Sequence, residues 1–137
     1  IDDASHFLRE TRASFNCLFP KLRPGGLYII EDWTWAHVYD PSGGLKNHFG
    51  TQPALSNLIF EIMLAAAFQP RLIPEIRIFF GSVVVRKGEQ PAEENFDVSK
   101  LCFHHGEPGG GIDFFERLPG IPGESLDPRS IPGEPIA

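Results

Sequence analysis

Residues 27–32 read LYIIED, an apolar run that ends in two acidic residues. A short apolar run without alternation is typical of a β-strand buried on both faces, as in a parallel sheet covered by helices. The turn sequence RPGG at residues 23–26 marks the point where this strand begins. Glu31 and Asp32 are therefore expected at the carboxyl end of the strand.

A second acidic patch opens the chain, where residues 2–6 read DDASH. A helix-like segment separates the two patches, so we expect them to end neighbouring parallel strands. Ligands in open α/β sheets bind at the carboxyl ends of the strands. Asp3, Glu31 and Asp32 would then meet at one sheet edge with His6 beside them, whereas Asp2 has no assignable role.

The rest of the chain continues an α/β pattern. Apolar periodicity predicts helices at residues 4–19, with Asp3 as a cap, and at residues 53–68. The β-rich runs at residues 73–80 and 82–87 predict two strands that meet at Gly81 in an antiparallel hairpin. The second of these strands is expected to be buried on both faces around Val84. The element order predicts the second half of an open α/β sheet, with parallel strands that end in the hairpin.

The long connection between the first strand and the second helix, residues 33–51, is the kind of segment that often contacts substrate. Trp33 and Trp35 in it either line a substrate pocket or cover the sheet edge. After residue 87 prolines and glycines become frequent. We therefore expect an α/β unit at residues 1–87 and an irregular, partly disordered extension at residues 88–137.

Composition narrows the class of protein. The 137-residue chain has a net charge of −6, which argues against nucleic-acid or anionic-membrane partners and suits cation binding. Two cysteines without close spacing argue against a disulfide framework and favour a cytoplasmic location. No apolar run approaches the roughly 20 residues that span a bilayer.

The acidic patches suggest metal chemistry. Mg²⁺ prefers carboxylate oxygens such as those of Asp3, Glu31 and Asp32. An imidazole, whose unperturbed pKa is about 6.5, can accept a proton near neutral pH, and His6 supplies one at this site. A hydroxyl on the metal would be acidified, so the set predicts a site that makes an alkoxide nucleophile. The structural alternatives are a helix cap, a solvated strand end and a hydrogen-bonding histidine.

Residues 2–6 (DDASH) together with residues 22–32 (LRPGGLYIIED) resemble a known family. It comprises the class I S-adenosylmethionine-dependent O-methyltransferases that need a divalent metal, in particular the macrolide-sugar and rhamnosyl O-methyltransferases grouped with cephalosporin-hydroxylase-like proteins. The resemblance covers roughly residues 1–87 and implies the C-terminal half of a Rossmann-like fold. It implies S-adenosylmethionine and Mg²⁺ as cofactors and a hydroxyl of a sugar or other small metabolite as acceptor.

The resemblance also implies roles for individual residues. Asp3, Glu31 and Asp32 match the family's magnesium ligands, and His6 matches its proposed general base. The glycine-rich turn and the acidic residue with which the family binds S-adenosylmethionine have no match here. We therefore expect a fragment whose activity belongs to an intact parent protein, while this chain alone is inactive.

Two other functions compete with this one. A non-catalytic half-domain remnant or interaction module would use an exposed sheet edge to bind a partner or to form a homo-oligomer. A metal-dependent oxygenase or hydrolase would use the same ligands, but one histidine among carboxylates suits Mg²⁺ better than the two-histidine triad of non-haem iron.

Overall fold

The computed structural model describes residues 1–3 and 5–108, with His104 described through its backbone alone. Ala4, where the first helix was predicted to begin, and the predicted extension after residue 108 lie outside the described residues. No helix in the described part is long and apolar enough to cross a lipid bilayer.

A three-stranded sheet organises the chain. It consists of β1 (Leu27–Glu31), β2 (Glu75–Phe79) and β3 (Ser82–Arg86), with β3 in the middle and antiparallel to both neighbours. The predicted hairpin is confirmed: β2 and β3 join through Phe80 and Gly81, and Gly81 has a φ of 80° that glycine adopts without a steric penalty. Short strands β4 (Phe103–His104) and β5 (Glu107–Pro108) form a separate antiparallel pair.

The free side of β1 carries the acidic patch of residues 2–6. Asp2 forms an isolated parallel bridge with Ile30. The Asp2 N–H donates to the Ile29 carbonyl at 2.7 Å, and the Glu31 N–H donates to the Asp2 carbonyl at 3.1 Å. The predicted parallel neighbour of β1 is thus present as a single bridge, and the two acidic patches do lie side by side.

The helices pack on one face of this sheet. α1 (Leu8–Leu18) and α3 (Ser56–Phe68) enclose one core with the inward side chains of β1 and β3, among them Phe15, Leu58, Ile62, Tyr28, Ile30, Val83 and Val85. Burial alternates along β1 and β3, and Leu27 is 46% exposed. The prediction of strands buried on both faces was wrong, because the helices α1 and α3 cover a single face.

The structure differs from the prediction at the start of the first helix and within the long connection that follows β1. α1 begins at Leu8, and its N-cap residue Phe7 makes no side-chain capping bond, so the prediction that Asp3 caps this helix was wrong. The connection predicted as a loop contains a 3₁₀ helix, Trp33–His37, and a short helix α2, Gly44–Phe49.

The chain after residue 87 returns to the core. Val98, in the 3₁₀ helix Val98–Leu101, and Cys102 are fully buried. The Asn16 side-chain amide donates to Asp97 Oδ1 at 3.1 Å, and the Val98 N–H donates to Asn16 Oδ1 at 3.0 Å. The division at residue 87 stays a prediction, but the described part of the extension packs against α1 and α3.

Candidate functional site

The site lies at the carboxyl end of β1, where the two acidic patches meet. The backbone of Asp2 is bonded to β1, so Asp3 follows directly at the same edge. Asp32 leaves β1 with a φ of 57°, and its N–H donates to the Gly81 carbonyl at 2.6 Å. The β2–β3 turn therefore helps to fix the position of Asp32.

Backbone strain is concentrated at this edge. His6 and Asp32 both adopt left-handed conformations, with φ of 58° and 57°. Asp and His enter this region more readily than most non-glycine residues, yet such conformations still cost free energy and cluster at active sites and ligand clamps. This conformation fits a functional role for His6 and Asp32, but His105 shares it with a φ of 49°, so the case for the site rests on how the side chains come together.

Three predicted site residues come together. Asp3, His6 and Asp32 each place one potential ligand atom within 4.8 Å of the other two. His6 Nε2 lies 4.0 Å from Asp32 Oδ2, and Asp3 is exposed whereas the other two side chains are partly buried. Two carboxylates and an imidazole at this spacing are a donor set that fits a divalent cation.

Glu31 is the fourth predicted site residue, and it is not a member of this group among the described residues. It ends β1, and its neighbour Ile30 points into the core. Because successive side chains on a strand face opposite sides, Glu31 projects away from the core. Its role as a metal ligand stays a prediction.

The charge at the site is unbalanced within the described chain. No lysine or arginine of residues 1–3 and 5–108 lies within 4.0 Å of the carboxylates of Asp3 or Asp32; the ion-pair partner of Asp32 is His6. The side chain of Asp3 makes no hydrogen bond within the same residues. An added cation would therefore meet two carboxylates without an internal counter-charge.

Asp2 is oriented differently from Asp3. Its carboxylate is buried, and its Oδ2 accepts a hydrogen bond from the Tyr28 hydroxyl at 2.5 Å. Burial, together with this hydrogen bond and the charge of Asp2, raises the pKa of Tyr28 well above its usual range, so the hydroxyl remains a donor. No sequence motif identifies this pair, because residues 2 and 28 are brought together by the fold.

One aromatic side chain, that of Trp35, packs against His6. The Trp35 ring lies against the His6 imidazole, with centroids 4.6 Å apart and planes tilted by 33°. Beside Trp35 opens a cleft of about 310 Å³, whose lining includes Asp40, Lys46 and Phe49. Trp35 lines this cleft, and its role in a substrate pocket stays a prediction; its contact with His6 had no signal in the sequence.

Comparison with known proteins identifies relatives. No protein-family model matches the chain. A demethylmacrocin O-methyltransferase from Streptomyces fradiae is 63% identical over 76 residues, which cover 55% of this chain and 18% of that protein. A mycinamicin VI 2''-O-methyltransferase from Micromonospora griseorubida is 63% identical over 44 residues, which cover 32% of this chain and 11% of that protein.

A solved structure also aligns with the chain. It is the MycE methyltransferase from the mycinamycin biosynthetic pathway in complex with Mg, SAH and mycinamycin VI. The identity is 34%, the alignment covers 64% of this chain and 24% of that one, and the TM-score is 0.46. The chain spans less than a fifth of the length of the two curated relatives above. Over the matched segment, this chain is related to the macrolide and sugar O-methyltransferases.

Proposed function

We propose that this chain forms the metal- and acceptor-binding part of an S-adenosylmethionine-dependent O-methyltransferase. Its acceptor would be a hydroxyl of a sugar or another small hydroxylated metabolite. The observation that carries the proposal is the convergence of Asp3, His6 and Asp32 at the carboxyl end of β1. The high identity to two O-methyltransferases over part of the chain supports the same reaction class.

The proposed architecture is the second half of a Rossmann-like methyltransferase sheet. The supporting observation is the strand arrangement: the segment at Asp2 pairs in parallel with β1, followed by β3 and β2 in antiparallel order. The site then lies where open α/β sheets bind their ligands, outside the carboxyl ends of parallel strands.

Asp3 and Asp32 are the residues that would hold Mg²⁺, with Glu31 as a further predicted ligand. Their oxygens suit a hard cation, and no internal cation of the described chain competes for them. When bound, Mg²⁺ would supply positive charge that favours loss of the acceptor's hydroxyl proton.

His6 accepts that proton at a ring nitrogen. Its Nε2 lies 4.0 Å from Asp32 Oδ2, so the proposed base stands beside one of the residues that would hold the metal and the acceptor. Trp35 packs against the ring and restricts its orientation. When bound, S-adenosylmethionine would supply the methyl group for the acceptor oxygen, with S-adenosylhomocysteine as the second product.

The cleft beside Trp35 is the proposed acceptor site. Its aromatic and charged lining, with Trp35, Phe49, Asp40 and Lys46, suits a sugar attached to an apolar body.

A small-molecule acceptor, a cytoplasmic location and a possible homo-oligomer remain our proposals for the protein. Ile78, Phe79 and Phe80, exposed near the hairpin, are the observation behind the oligomer.

The test compares two histidine variants in the native polypeptide that contains this chain. His6→Asn and His105→Asn replace histidines that both have positive φ, 58° and 49°, by a residue that tolerates this conformation. With Mg²⁺ and labelled S-adenosylmethionine, we expect His6→Asn to lower kcat at least about 100-fold on a glycosylated acceptor. His105→Asn should keep its activity, and His6→Asn should bind Mg²⁺ within a few-fold of the unmodified protein.

Full activity of His6→Asn would show that His6 is not the general base. Loss of Mg²⁺ binding together with activity would make His6 a metal ligand instead. A folded protein that neither transfers methyl groups nor binds Mg²⁺ would leave the non-catalytic remnant as the better description.

A further inference from the structure

Asp2 and Tyr28 form a buried pair next to the proposed site. The side chains are 8% and 4% exposed, and the Tyr28 hydroxyl donates to Asp2 Oδ2 at 2.5 Å. The Tyr28 ring packs edge-on against Phe15 of α1, with centroids 5.1 Å apart. The hydrogen bond therefore connects the segment that carries Asp3 to both β1 and the core.

Asp3 directly follows Asp2, the residue that this hydrogen bond holds. Asp2 is held by two backbone hydrogen bonds to β1 and by the Tyr28 hydroxyl. In the described part of the chain the Asp3 side chain has no hydrogen bond of its own. Within the described chain, the hydrogen bonds that hold this segment to β1 are therefore those of Asp2, the residue before Asp3.

We propose that Asp2 and Tyr28 are positioning residues for the cation site. Their hydrogen bond holds the strand end in place, and so keeps the Asp3 carboxylate within reach of His6 and Asp32. This inference rests on the proposed function, in which Asp3 is a metal ligand. Removing a group that does not touch the metal but orients one of its ligands typically lowers metal affinity 10–100-fold.

The experiment measures Mn²⁺ binding by electron paramagnetic resonance, with Mn²⁺ as the probe for the Mg²⁺ site in the native protein. Tyr28→Phe removes the hydroxyl and keeps the ring that packs on Phe15, and we expect it to raise the Kd for Mn²⁺ about tenfold. Asp2→Ala should raise it at least as much, and Asp2→Asn, which keeps an acceptor for Tyr28, should raise it less. The double variant Asp2→Ala/Tyr28→Phe should bind no more weakly than Asp2→Ala, since both changes break one hydrogen bond.

A core variant separates positioning from general loss of stability. Val98→Ala shortens a fully buried side chain that belongs to the chain after residue 87. It should lower the unfolding midpoint in urea and leave the Kd for Mn²⁺ unchanged. An equal rise of the Kd in Val98→Ala and Tyr28→Phe would overturn the inference, because the effect would then follow stability.

Two further results decide between the inference and the function on which it rests. Wild-type affinity in Tyr28→Phe would refute the positioning role while the cation site stands. An unmodified protein that binds no Mn²⁺ would refute the proposed metal site and the positioning role together.

Discussion

The carboxylates of the core and those of the proposed site lie in contrasting settings. In the core, Glu61 of α3 is fully buried, and the Arg12 guanidinium on α1 donates to both of its oxygens at 2.7 and 2.8 Å. At the end of β1, Asp3 and Asp32 have an imidazole beside them and no lysine or arginine within ion-pair distance in the described chain. The core charge is balanced inside the chain, and the charge at the site is not.

The difference shows what each setting can do. A buried carboxylate must be paired, because its desolvation is costly without a counter-charge. Asp3 is exposed and Asp32 partly exposed, so water solvates them and the chain needs no internal cation there. Removing a charge should therefore destabilise the fold in the core, while at the site it should change the binding of an external cation.

The largest effect is expected from Arg12→Ala. It removes the guanidinium that pairs with the buried Glu61 carboxylate, and breaking a buried pair in this way costs about 3 kcal/mol of unfolding free energy. Urea unfolding measures the loss, and Arg9→Ala, an exposed arginine on the same helix, is the control.

A paired replacement sharpens the same point. Arg12→Met with Glu61→Leu removes both charges and keeps similar volumes, so it should recover most of the stability that Arg12→Ala loses. Equal stability of Arg12→Ala and Arg9→Ala would show that the core does not depend on this ion pair.

At the site the corresponding change is Asp3→Asn. Without metal, its unfolding free energy should lie within about 0.5 kcal/mol of that of the unmodified protein, since Asp3 is exposed and makes no side-chain hydrogen bond in the described chain. A tenfold excess of Mg²⁺ over its Kd stabilises a protein that binds it by about 1.4 kcal/mol. Urea unfolding with and without Mg²⁺ should show this gain in Arg12→Ala but not in Asp3→Asn, and equal gains in both variants would place the cation elsewhere.

Local sequence signals were sufficient to predict β1, the hairpin and the proximity of Asp3, His6 and Asp32. An apolar run after a turn, and a glycine between two β-rich runs, determine these elements with little help from distant residues. Asp3 and Asp32 lie close together because the segment at Asp2 and the strand β1 run in parallel and end at the same edge, as the bridge between Asp2 and Ile30 shows.

The missed features depend on tertiary contacts. Helix periodicity extended α1 toward residue 4, but His6 has a left-handed φ of 58°, which no helix accepts, and α1 begins at Leu8. The apolar run of β1 did not reveal that one sheet face lacks a covering helix in the described chain. Neither the Asp2–Tyr28 hydrogen bond nor the contacts of Asn16 with residues 97 and 98 has a sequence signature.

The smallest effect concerns Asp97, a third setting in which a carboxylate is held by neutral donors. Burial raises the pKa of Asp97, but hydrogen bonds from the Ser99 side chain and backbone and from Asn16 outweigh it, so the pKa lies below its usual range. A lowered folded-state pKa means that the stabilisation is complete above the unfolded pKa of about 3.9 and is lost as the pH falls through the folded value.

Asp97→Ala should therefore cost about 1 kcal/mol at pH 7, a typical value for a lost capping residue, because Asp97 caps the 3₁₀ helix Val98–Leu101 and binds Asn16. Urea unfolding at several pH values should show the difference from the unmodified protein shrinking below pH 3.9, whereas Glu94→Ala, an exposed neighbour, should show little difference at any pH. A pH-independent cost would mean that Asp97 acts through packing rather than through its charge. The size of the loss at pH 7 also measures how far the chain after residue 87 contributes to the core around α1, which the Pro- and Gly-rich composition there did not indicate.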